Sequence, residues 1–441
     1  MDEVVPFEVA KMNIGASINL EEFCKQNYQR VTTNYQKTVD EGINPYIGKI
    51  NENLIKQSPS KLIDGFWLRR IKNQSFTSLQ KTYPHIPTEV LKEAKSTLEV
   101  VFDEEDGEGV MDMNHVHIFE NLLKQAHIDL PHNTTKEYVQ DARIPDESFF
   151  SPCIQMGISV LQKELFLEMC GFTLNFEEIP TSVLQMRDAL KKERLDDYYY
   201  LLHITIDNPA SGHCYMARKA LETLLAPYQV SSGEFSTDND MWRKLFNGYV
   251  LATFMSPRAV LERLSSGAPG SSIIAKSVSL SAPSTIKHQE ETRKISKDST
   301  IREQMEGVME KYAPYAACPL HRSVRIKGQP MDLAMSGISS AEFLDTLATS
   351  GWVKPGYPEE SALVKSLSFG KKMFKVFDDN DQEVIKKWIS SLPPRKQQRP
   401  TQDSNTNTTQ SSLLAPLART RNYIYLLLST LCVLVFMSLS V

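Results

Sequence analysis

The sequence predicts an all-α protein that ends in a single transmembrane helix. Apolar residues recur at helical spacing along most of the chain, which is the pattern of amphipathic helices. Strand patterns are scarce throughout. The last 19 residues, from Tyr423 to Val441, carry no charge. At about 1.5 Å per residue they would form a helix about 28 Å long, close to the thickness of the hydrocarbon core of a bilayer.

Length and composition limit the class of protein. The 441 residues are enough for two or three domains, at roughly 150 residues each. With 41% apolar residues the chain can bury a core, and its net charge of −5 comes without a basic, aromatic-rich stripe, so nucleic-acid binding has no support. The six cysteines are scattered without a CxxC pair. That pattern favours reduced thiols in a cytosolic protein and excludes zinc ribbons and c-type haem attachment.

The predicted helices follow from apolar periodicity and from residues that start or stop helices. Pro84 and Pro87 mark a turn, and Thr88 is the predicted N-cap of the helix that follows. The acidic, glycine-broken stretch 103–109 separates this helix from the next, and Pro257 predicts a break or kink in a later one. The predicted helices cover 20–38, 88–102, 113–126, 153–170, 180–194, a helix from 197 onward, 237–264 and several helices within 303–392.

One apolar helical stretch, YLLHITIDNPASGHCYMARKAL (residues 200–221), contains three side chains that bind metals well. His203 and Asp207 are four residues apart, so they point from one face of a helix. The Asn-Pro pair that follows interrupts the helix, because a residue before proline avoids the α region. In an unbroken helix His213 would lie about 120° round from Asp207, and the break can bring it back to the same side. Apolar neighbours predict burial, so His203 and Asp207 are either metal ligands or a hydrogen-bonded pair of the core.

Further metal-ligating residue types stand at two other places. Glu105 and His115 lie on either side of a glycine-containing break, and Glu177 lies in the segment GFTLNFEE between two apolar helices. Each also has an ordinary interpretation, since acidic loops are commonly solvated and a glutamate at a helix end is commonly a surface residue. His117 would point about 200° away from His115 on a helix, so at most one of the two faces inward. Glu178 competes with Glu177 for the same role.

A dinuclear iron or manganese site needs about six ligands, which in a bundle come from facing helices. Carboxylates provide charge and bridging, and imidazoles provide nitrogen. Several other chemistries are excluded because the chain has no GxSxG elbow, Walker A loop, HExxH pair or GxGxxG turn. Ferritin-like bundles carry two ExxH pairs, whereas here only DMNH (112–115) comes near, as a single imperfect match. A different helical scaffold is therefore expected.

Three segments of the chain resemble one known family. They are EEDGEGVMDMNHVHIF (104–119), GFTLNFE (171–177) and YYYLLHITIDNPASGH (198–213). They are similar to the iron-containing redox enzyme family, one of the heme-oxygenase-like diiron oxidases. Its members share an acidic glycine segment followed by a histidine, a glutamate motif, and an H-x-x-x-D-N-x-x-x-G-H segment. Residues 351–364 and 370–389 also resemble that family's closing segments. The resemblance implies a heme-oxygenase-like helical bundle with a C-terminal helical extension.

The resemblance also implies a metal site. Its ligands would be Glu105, His115, Glu177, His203, Asp207 and His213. Glu177 would be the bridging carboxylate, and Phe176 replaces the family's tyrosine beside it. The first acid of the loop is Glu104 where the family has aspartate, so the first ligand is either Glu104 or Glu105. The implied cofactor is two iron ions, with manganese as the alternative, and no catalytic residue is expected beyond the ligands. The implied reaction activates O2 to oxidise an organic substrate, with electrons from a separate donor.

The predicted domain organisation follows from changes in composition. The predicted parts are a metal-binding helical domain at 1–264, a Ser/Pro-rich insert or linker at 265–302, a helical region at 303–392, a flexible stalk at 393–419 and a transmembrane tail anchor at 420–441. The first residues lack the pattern of a secretory signal peptide. Arg419 and Arg421 stand just before the uncharged segment, so the main domain is expected on the cytosolic side. The absence of basic residues after the anchor favours the endoplasmic reticulum over the mitochondrial outer membrane.

A membrane tether would favour a lipophilic substrate or a membrane-bound electron donor. Two other functions stay open from the sequence: a heme-binding oxygenase on the same scaffold, and a non-catalytic, membrane-tethered interaction protein whose metal site has decayed. A heme protein needs one proximal histidine and gains nothing from Glu177 and Asp207 in its interior. All six candidate ligands are present as residue types, which argues against decay.

Overall fold

The computed structural model describes residues 16–253, 299–316, 324–335 and 338–394, and these are mostly helical. The all-α class is therefore confirmed. The described residues belong to one compact unit, which ends at Pro394. The predicted tail anchor, with most of the predicted insert and stalk, lies outside the described residues, and the domain boundaries stay predictions. Among the helices that are described, none is both long enough and apolar enough to cross a membrane.

The described helices and strands are numbered in chain order. The helices up to residue 253 are α1 (Leu20–Asp40), α2 (Ile50–Lys61), α3 (Phe66–Asn73), α4 (Phe76–Thr82), α5 (Thr88–Glu105), α6 (His115–Gln125), α7 (Lys136–Val139), α8 (Phe150–Val160), α9 (Phe166–Phe176), α10 (Thr181–Lys192), α11 (Tyr198–Ile206), α12 (His213–Leu225) and α13 (Asp240–Thr253). The later helices are α14 (Ile301–Ala316), α15 (Met331–Met335), α16 (Ser340–Ala348), α17 (Ala362–Lys365) and α18 (Asp379–Ser391). The strands are β1 (Ser17–Asn19), β2 (Gln229–Ser231), β3 (Glu234–Ser236), β4 (Arg325–Ile326) and β5 (Gln329–Pro330).

The strands form two small antiparallel sheets. In the first, β3 lies between β1 and β2, and Ile18 of β1 is opposite Phe235 of β3. In the second, β4 pairs with β5. Such short strands leave little alternation to detect, which is why the sequence showed almost no strand signal.

Several predicted helix boundaries are wrong in detail. The predicted helix 153–170 is two helices, α8 and α9, because residues 161–165 form a turn between them. Thr88 is the first residue of α5 and not its N-cap, and no side chain caps that end. Helix α6 begins at His115, two residues later than predicted, because the side chain of Asn114 caps it by accepting a hydrogen bond from the backbone N–H of His117 at 3.0 Å. The predicted kink at Pro257 lies outside the described residues.

A tight reversal between α5 and α6 brings the end of one helix beside the start of the next. Gly107 has a positive φ of 75°, and a side chain there would overlap the backbone nitrogen of Asn114. Only glycine adopts this conformation without strain and also permits that approach. The reversal places His115 next to Glu105.

The break between α11 and α12 is also tightly structured. The side chain of Asn208 accepts hydrogen bonds from the backbone N–H groups of Ala210 and Ser211, at 3.1 and 3.0 Å. An asparagine that binds the backbone two and three residues ahead stabilises a turn. Gly212 then lies so close to the carbonyl of Ile206 that a side-chain carbon would overlap its oxygen. The predicted interruption is confirmed, and it starts α12 at His213.

The end of α9 is fixed by an aromatic cluster in the core. Trp67 of α3 is fully buried, and its indole N–H donates a hydrogen bond to the hydroxyl of Thr173 at 3.0 Å. The rings of Phe172 and Phe176 meet Trp67 edge-on, with centroids 5.2 and 4.4 Å away. Such contacts restrict the last turn of α9. They fix the position of Glu177, the next residue.

The segment between α17 and α18 packs over the α11–α12 break. The backbone carbonyl of Lys375 accepts a hydrogen bond from the Asn208 side chain at 3.3 Å, and that of Val376 accepts one from the Ser211 hydroxyl at 2.8 Å. The backbone N–H of Gly370 donates to the Tyr198 hydroxyl at 2.9 Å. Residues from the C-terminal half thus cover the loop that separates α11 from α12.

Candidate metal centre

The six residues predicted as ligands meet in the interior, and five of them lie at helix ends. Glu105 is the last residue of α5, His115 is the first of α6, Glu177 directly follows α9, His203 lies within α11, Asp207 directly follows α11, and His213 is the first of α12. All six are buried. Their positions follow from the local features described above: a reversal, a capped break and a fixed helix end.

The ligand-type atoms form two groups. The first group is Glu105, His115 and His203, and the second group is Glu105, Glu177, Asp207 and His213. Within each group the nitrogen or oxygen atoms all lie within 4.8 Å of one another. In the second group, Nδ1 of His213 lies 3.1 Å from Glu105 Oε1 and 3.4 Å from both Glu177 Oε2 and Asp207 Oδ1.

Glu105 is common to both groups and faces each with a different oxygen. Its Oε2 lies 2.7 Å from His115 Nδ1, and its Oε1 lies 3.1 Å from His213 Nδ1. The resemblance implied Glu177 as the bridging carboxylate. In the structure Glu105 belongs to both groups and Glu177 to the second alone, and the bridging role itself stays a prediction.

Four polar atoms of the centre are buried without a hydrogen bond: Glu105 Oε2, His115 Nδ1, Asp207 Oδ1 and His213 Nδ1. The 2.7 Å contact between Glu105 and His115 does not change this, since its geometry is not that of a hydrogen bond. Buried polar atoms are almost always satisfied, so four orphans aimed at one another need an explanation. A set of carboxylate oxygens and imidazole nitrogens fits iron or manganese ions.

Glu104 takes a different role from its neighbour Glu105. Its Oε2 accepts a hydrogen bond from Nε2 of His213 at 3.1 Å, and its Oε1 accepts one from the ammonium of Lys375 at 2.9 Å. Burial alone would raise the pKa of Glu104, but the imidazole and the ammonium outweigh it and hold the pKa at about 2. Glu104 therefore orients His213 from outside the two groups, so that Nδ1 faces inward.

His203 is oriented in the same way by a backbone carbonyl. Its Nδ1 donates a hydrogen bond to the carbonyl oxygen of Tyr199 at 2.7 Å, which turns Nε2 toward the first group. Asp64 lies on this side, with Oδ2 3.8 Å from His203 Nε2 and 3.2 Å from the Tyr199 hydroxyl, which donates to it. Burial would raise the pKa of Asp64, but the nearby Lys61 ammonium and His203 outweigh it, so the pKa is lowered. Burial and the charge of Asp64 raise the pKa of Tyr199 well above its usual value, so its hydroxyl stays a donor.

Sequence reasoning missed Asp64 and Lys375. Asp64 precedes a glycine in a turn before α3, a position where aspartate is common for purely local reasons, so the sequence carried no signal for it. Lys375 lies about 270 residues after Glu104 in the chain and meets it only through tertiary packing.

His117 and Glu178, the two residues that competed with predicted ligands, lie outside both groups. The side chain of His117 is partly exposed and lies 3.8 Å from Glu120, so His115 alone of the two faces inward. Glu178 accepts hydrogen bonds from the side chains of Asn27 and Tyr249, each at 2.8 Å. Burial raises the pKa of Glu178 to about 7.

A cavity of about 320 Å³ has both Arg30 and Asp207 in its lining. Most of the side chains that line it are polar: Asn27, Tyr28, Arg30, Asn34, Asn175, Glu178, Thr181 and Asp207. Cys24, Val31, Ile179, Pro180, Pro209 and Cys214 complete the lining. Because Asp207 belongs to the second group, a molecule in this cavity would lie against the candidate metal centre.

The metal-free centre holds protons that a metal ion must displace. Burial, together with the charge of Asp207, raises the pKa of Glu177 to about 8. Burial would lower the pKa of His213, but the carboxylates that surround its ring outweigh burial and raise that pKa well above its usual value. At neutral pH both groups are therefore protonated in the absence of metal.

Metal binding should consequently tighten as the pH rises from 6 to about 8, by up to about tenfold per pH unit for each proton displaced. Mn²⁺ is a suitable probe because it does not oxidise readily in air. Calorimetric titration of the metal-free protein in two buffers of different ionisation enthalpy measures the number of protons released. An affinity that stays constant between pH 6 and pH 8 would contradict the assigned protonation of Glu177 and His213.

One comparison with known proteins bears on this geometry. Residues 71–233 match the model of a family described as iron-containing redox enzymes. The resemblance seen in the sequence is thereby confirmed for this segment, and the match supports an oxidoreductase that contains iron. All six predicted ligands lie within the matched segment, whereas Asp64 and Lys375 lie outside it. No curated protein and no solved structure matches the chain.

Proposed function

We propose that this protein is a nonheme enzyme that holds two iron ions, activates O2 and oxidises an organic substrate. The position of Glu105 carries the proposal, because its two oxygens face two different groups of ligand-type side chains. A carboxylate in that position can bind one ion with each oxygen, as a dinuclear centre requires. The family match supports iron as the metal.

The two groups differ in their chemistry. The first offers two imidazoles and one carboxylate, the donor set of many nonheme iron oxygenases, which leave positions open for O2 and substrate. The second offers three carboxylates and one imidazole. Neutral imidazoles keep a metal reducible, whereas carboxylates stabilise a higher oxidation state, so the combination suits a centre that gains and loses electrons. Manganese would accept the same donors.

Bound iron would supply the electrons and the open coordination positions for O2. The chain's own residues prepare the site for it. Glu104 and the Tyr199 carbonyl each fix one imidazole so that the opposite ring nitrogen faces inward. The ring of Tyr199 packs 4.4 Å from that of His203 and 4.9 Å from that of Phe119, and this aromatic packing contributes to the burial of the first group.

The cavity supports a small, polar substrate. Asp207 is part of its lining, which also includes residues with amide, hydroxyl, guanidinium and carboxyl groups. Pockets for small organic molecules are usually lined mainly by apolar side chains with a few polar groups, whereas eight of the fourteen residues that line this cavity are polar. A polar organic molecule therefore fits this lining better than the lipophilic substrate that a membrane tether would favour.

Iron content and O2 consumption test the proposal together. Purified full-length protein, loaded with Fe²⁺ under anaerobic conditions, should hold two iron ions per chain, and the double variant His203→Ala/Asp207→Ala should hold essentially none. His117→Ala is the matched control, because His117 lies outside both groups and should keep both ions. On admission of air, small polar amines and acids should stimulate O2 uptake by the parent protein more than long-chain lipids do.

Three outcomes would contradict the proposal. Equal iron content in the parent and in the double variant would mean that these two groups do not bind the iron. A Soret band in protein supplied with heme, lost in His203→Ala, would favour the heme-binding alternative. Stimulation of O2 uptake by lipids alone would overturn the polar substrate while leaving the dinuclear centre in place.

A further inference from the structure

We infer that Asp64 is a seventh protein ligand of this centre, binding the metal ion at the first group together with Glu105, His115 and His203. This inference rests on the proposed dinuclear function. Asp64 lies outside the segment that matches the family model, so the match assigns no role to it.

The fold holds Asp64 against the first group from a connection between helices that contributes no other ligand. Asp64 lies in the short connection between α2 and α3, directly before Gly65, which has a positive φ of 70°. A side-chain carbon built on Gly65 would lie 3.4 Å from Cβ of Glu105. The turn therefore packs on the residue that both groups share. The Asp64 side chain itself is only 3% exposed.

The distances suit two ligands of one ion. Oδ2 of Asp64 lies 3.8 Å from Nε2 of His203, the nitrogen that faces the first group. Two donors that each bind an ion at about 2.1 Å lie between roughly 3 and 4 Å apart, depending on the angle between them. Asp64 is not a member of the first group although it lies within 4.8 Å of His203, so binding requires its carboxylate to move toward Glu105 and His115. That movement needs only rotation about the side-chain bonds of Asp64.

Tyr199 couples Asp64 to His203. Its carbonyl oxygen accepts the hydrogen bond from His203 Nδ1 at 2.7 Å, and its hydroxyl donates to Asp64 Oδ2 at 3.2 Å. One residue thus orients both side chains toward the same space. Support of this kind around metal ligands is common, and it would hold the carboxylate oxygen on the side of Nε2.

The count of donors gives a second reason. The first group has three side chains and the second has four, with Glu105 in both. Iron and manganese ions bound by oxygen and nitrogen donors prefer high coordination numbers. With Asp64 each ion would have four protein ligands, and positions would still remain open for O2 and substrate.

An ion pair offers the competing explanation. The ammonium of Lys61 lies 3.5 Å from Asp64 Oδ2, so Asp64 could serve only to neutralise Lys61. The Lys61 side chain is 20% exposed and keeps some contact with water, whereas Asp64 has almost none. Removal of Lys61 therefore separates the two roles.

Metal binding to the full-length protein tests the inference, with Co²⁺ as a spectroscopic probe whose absorption reports its coordination. The parent should bind two Co²⁺ ions. Asp64→Asn keeps the shape of the side chain and the hydrogen-bond acceptor for Tyr199. It should weaken the binding of one of the two Co²⁺ ions by at least about tenfold and change the visible spectrum of that ion. Lys61→Met is the matched control and should keep both ions with the parent spectrum.

The double variant Lys61→Met/Asp64→Asn guards against misfolding, because it leaves no buried charge unpaired. It should show the same selective loss as Asp64→Asn. Parent affinities and an unchanged spectrum in that variant would overturn the ligand role of Asp64 and leave the dinuclear centre intact. Fewer than two ions in the parent itself would instead contradict the proposed function.

Discussion

Replacing Glu105 by alanine should abolish binding of both proposed metal ions, whereas each of the other five predicted ligands belongs to one group only. The carboxylate offers Oε2 to the first group and Oε1 to the second, so its loss removes a donor from each. Activity should fall to the background of the metal-free protein. Iron analysis of the anaerobically loaded variant measures the effect directly.

Two matched variants sharpen this result. His115→Ala removes a donor from the first group alone and should leave one ion bound. Glu104→Gln keeps every donor of the two groups and loses the charge that pairs with His213 and Lys375, so both ions should still bind, with affinity weaker by about 10- to 100-fold. Retention of two ions by Glu105→Ala, or loss of both in Glu104→Gln, would mean that Glu104 and not Glu105 occupies the centre.

Substitution of Gly212 by alanine should destabilise the fold and disturb the second group together. The new carbon would overlap the carbonyl oxygen of Ile206 and lie 2.8 Å from the side-chain nitrogen of Asn208. The chain must then shift at the residue directly before His213. Overpacking of this kind costs about 1–3 kcal/mol, and it occurs where a ligand must keep its position. Thermal unfolding and metal content of the same preparation measure both effects.

Gly157→Ala provides the control for this experiment. Gly157 lies in α8, and an added carbon there would meet nothing within 4 Å. Alanine in a helix interior is better than glycine by about 0.5–1 kcal/mol, so this variant should be slightly more stable than the parent. Equal stability and equal metal content for the two variants would show that the close approach at Gly212 is unimportant.

The sequence was most informative where short-range spacing decides geometry. The Asn-Pro break before His213 predicted that His213 returns to the side of Asp207, and the 3.4 Å approach of the two side chains agrees. His203 and Asp207, four residues apart, fall in different groups. The glycine break in the acidic loop likewise brings Glu105 beside His115. In each case fewer than a dozen residues connect the partners, so local backbone rules are enough.

Spacing could not decide which carboxylate lies between the two groups. Glu104 and Glu105 are adjacent on one helix, so their side chains point about 100° apart. In the structure Glu105 points inward and Glu104 points toward Lys375. The sequence could not show that Glu105 and not Glu177 belongs to both groups, for a similar reason. That membership depends on where α5 and α9 lie relative to each other, which is a matter of core packing around Trp67.

By itself, then, the sequence determined the helical class, the six ligand-type residues and the local turns that position them. These features depend on apolar periodicity, on proline and glycine, and on short intervals in the chain. The tertiary structure alone decided the shared role of Glu105, the outer positions of Glu104 and Lys375, and the approach of Asp64 to His203. Those contacts join residues up to about 270 positions apart. Their geometry is set by the packing of whole helices, for which no local pattern exists.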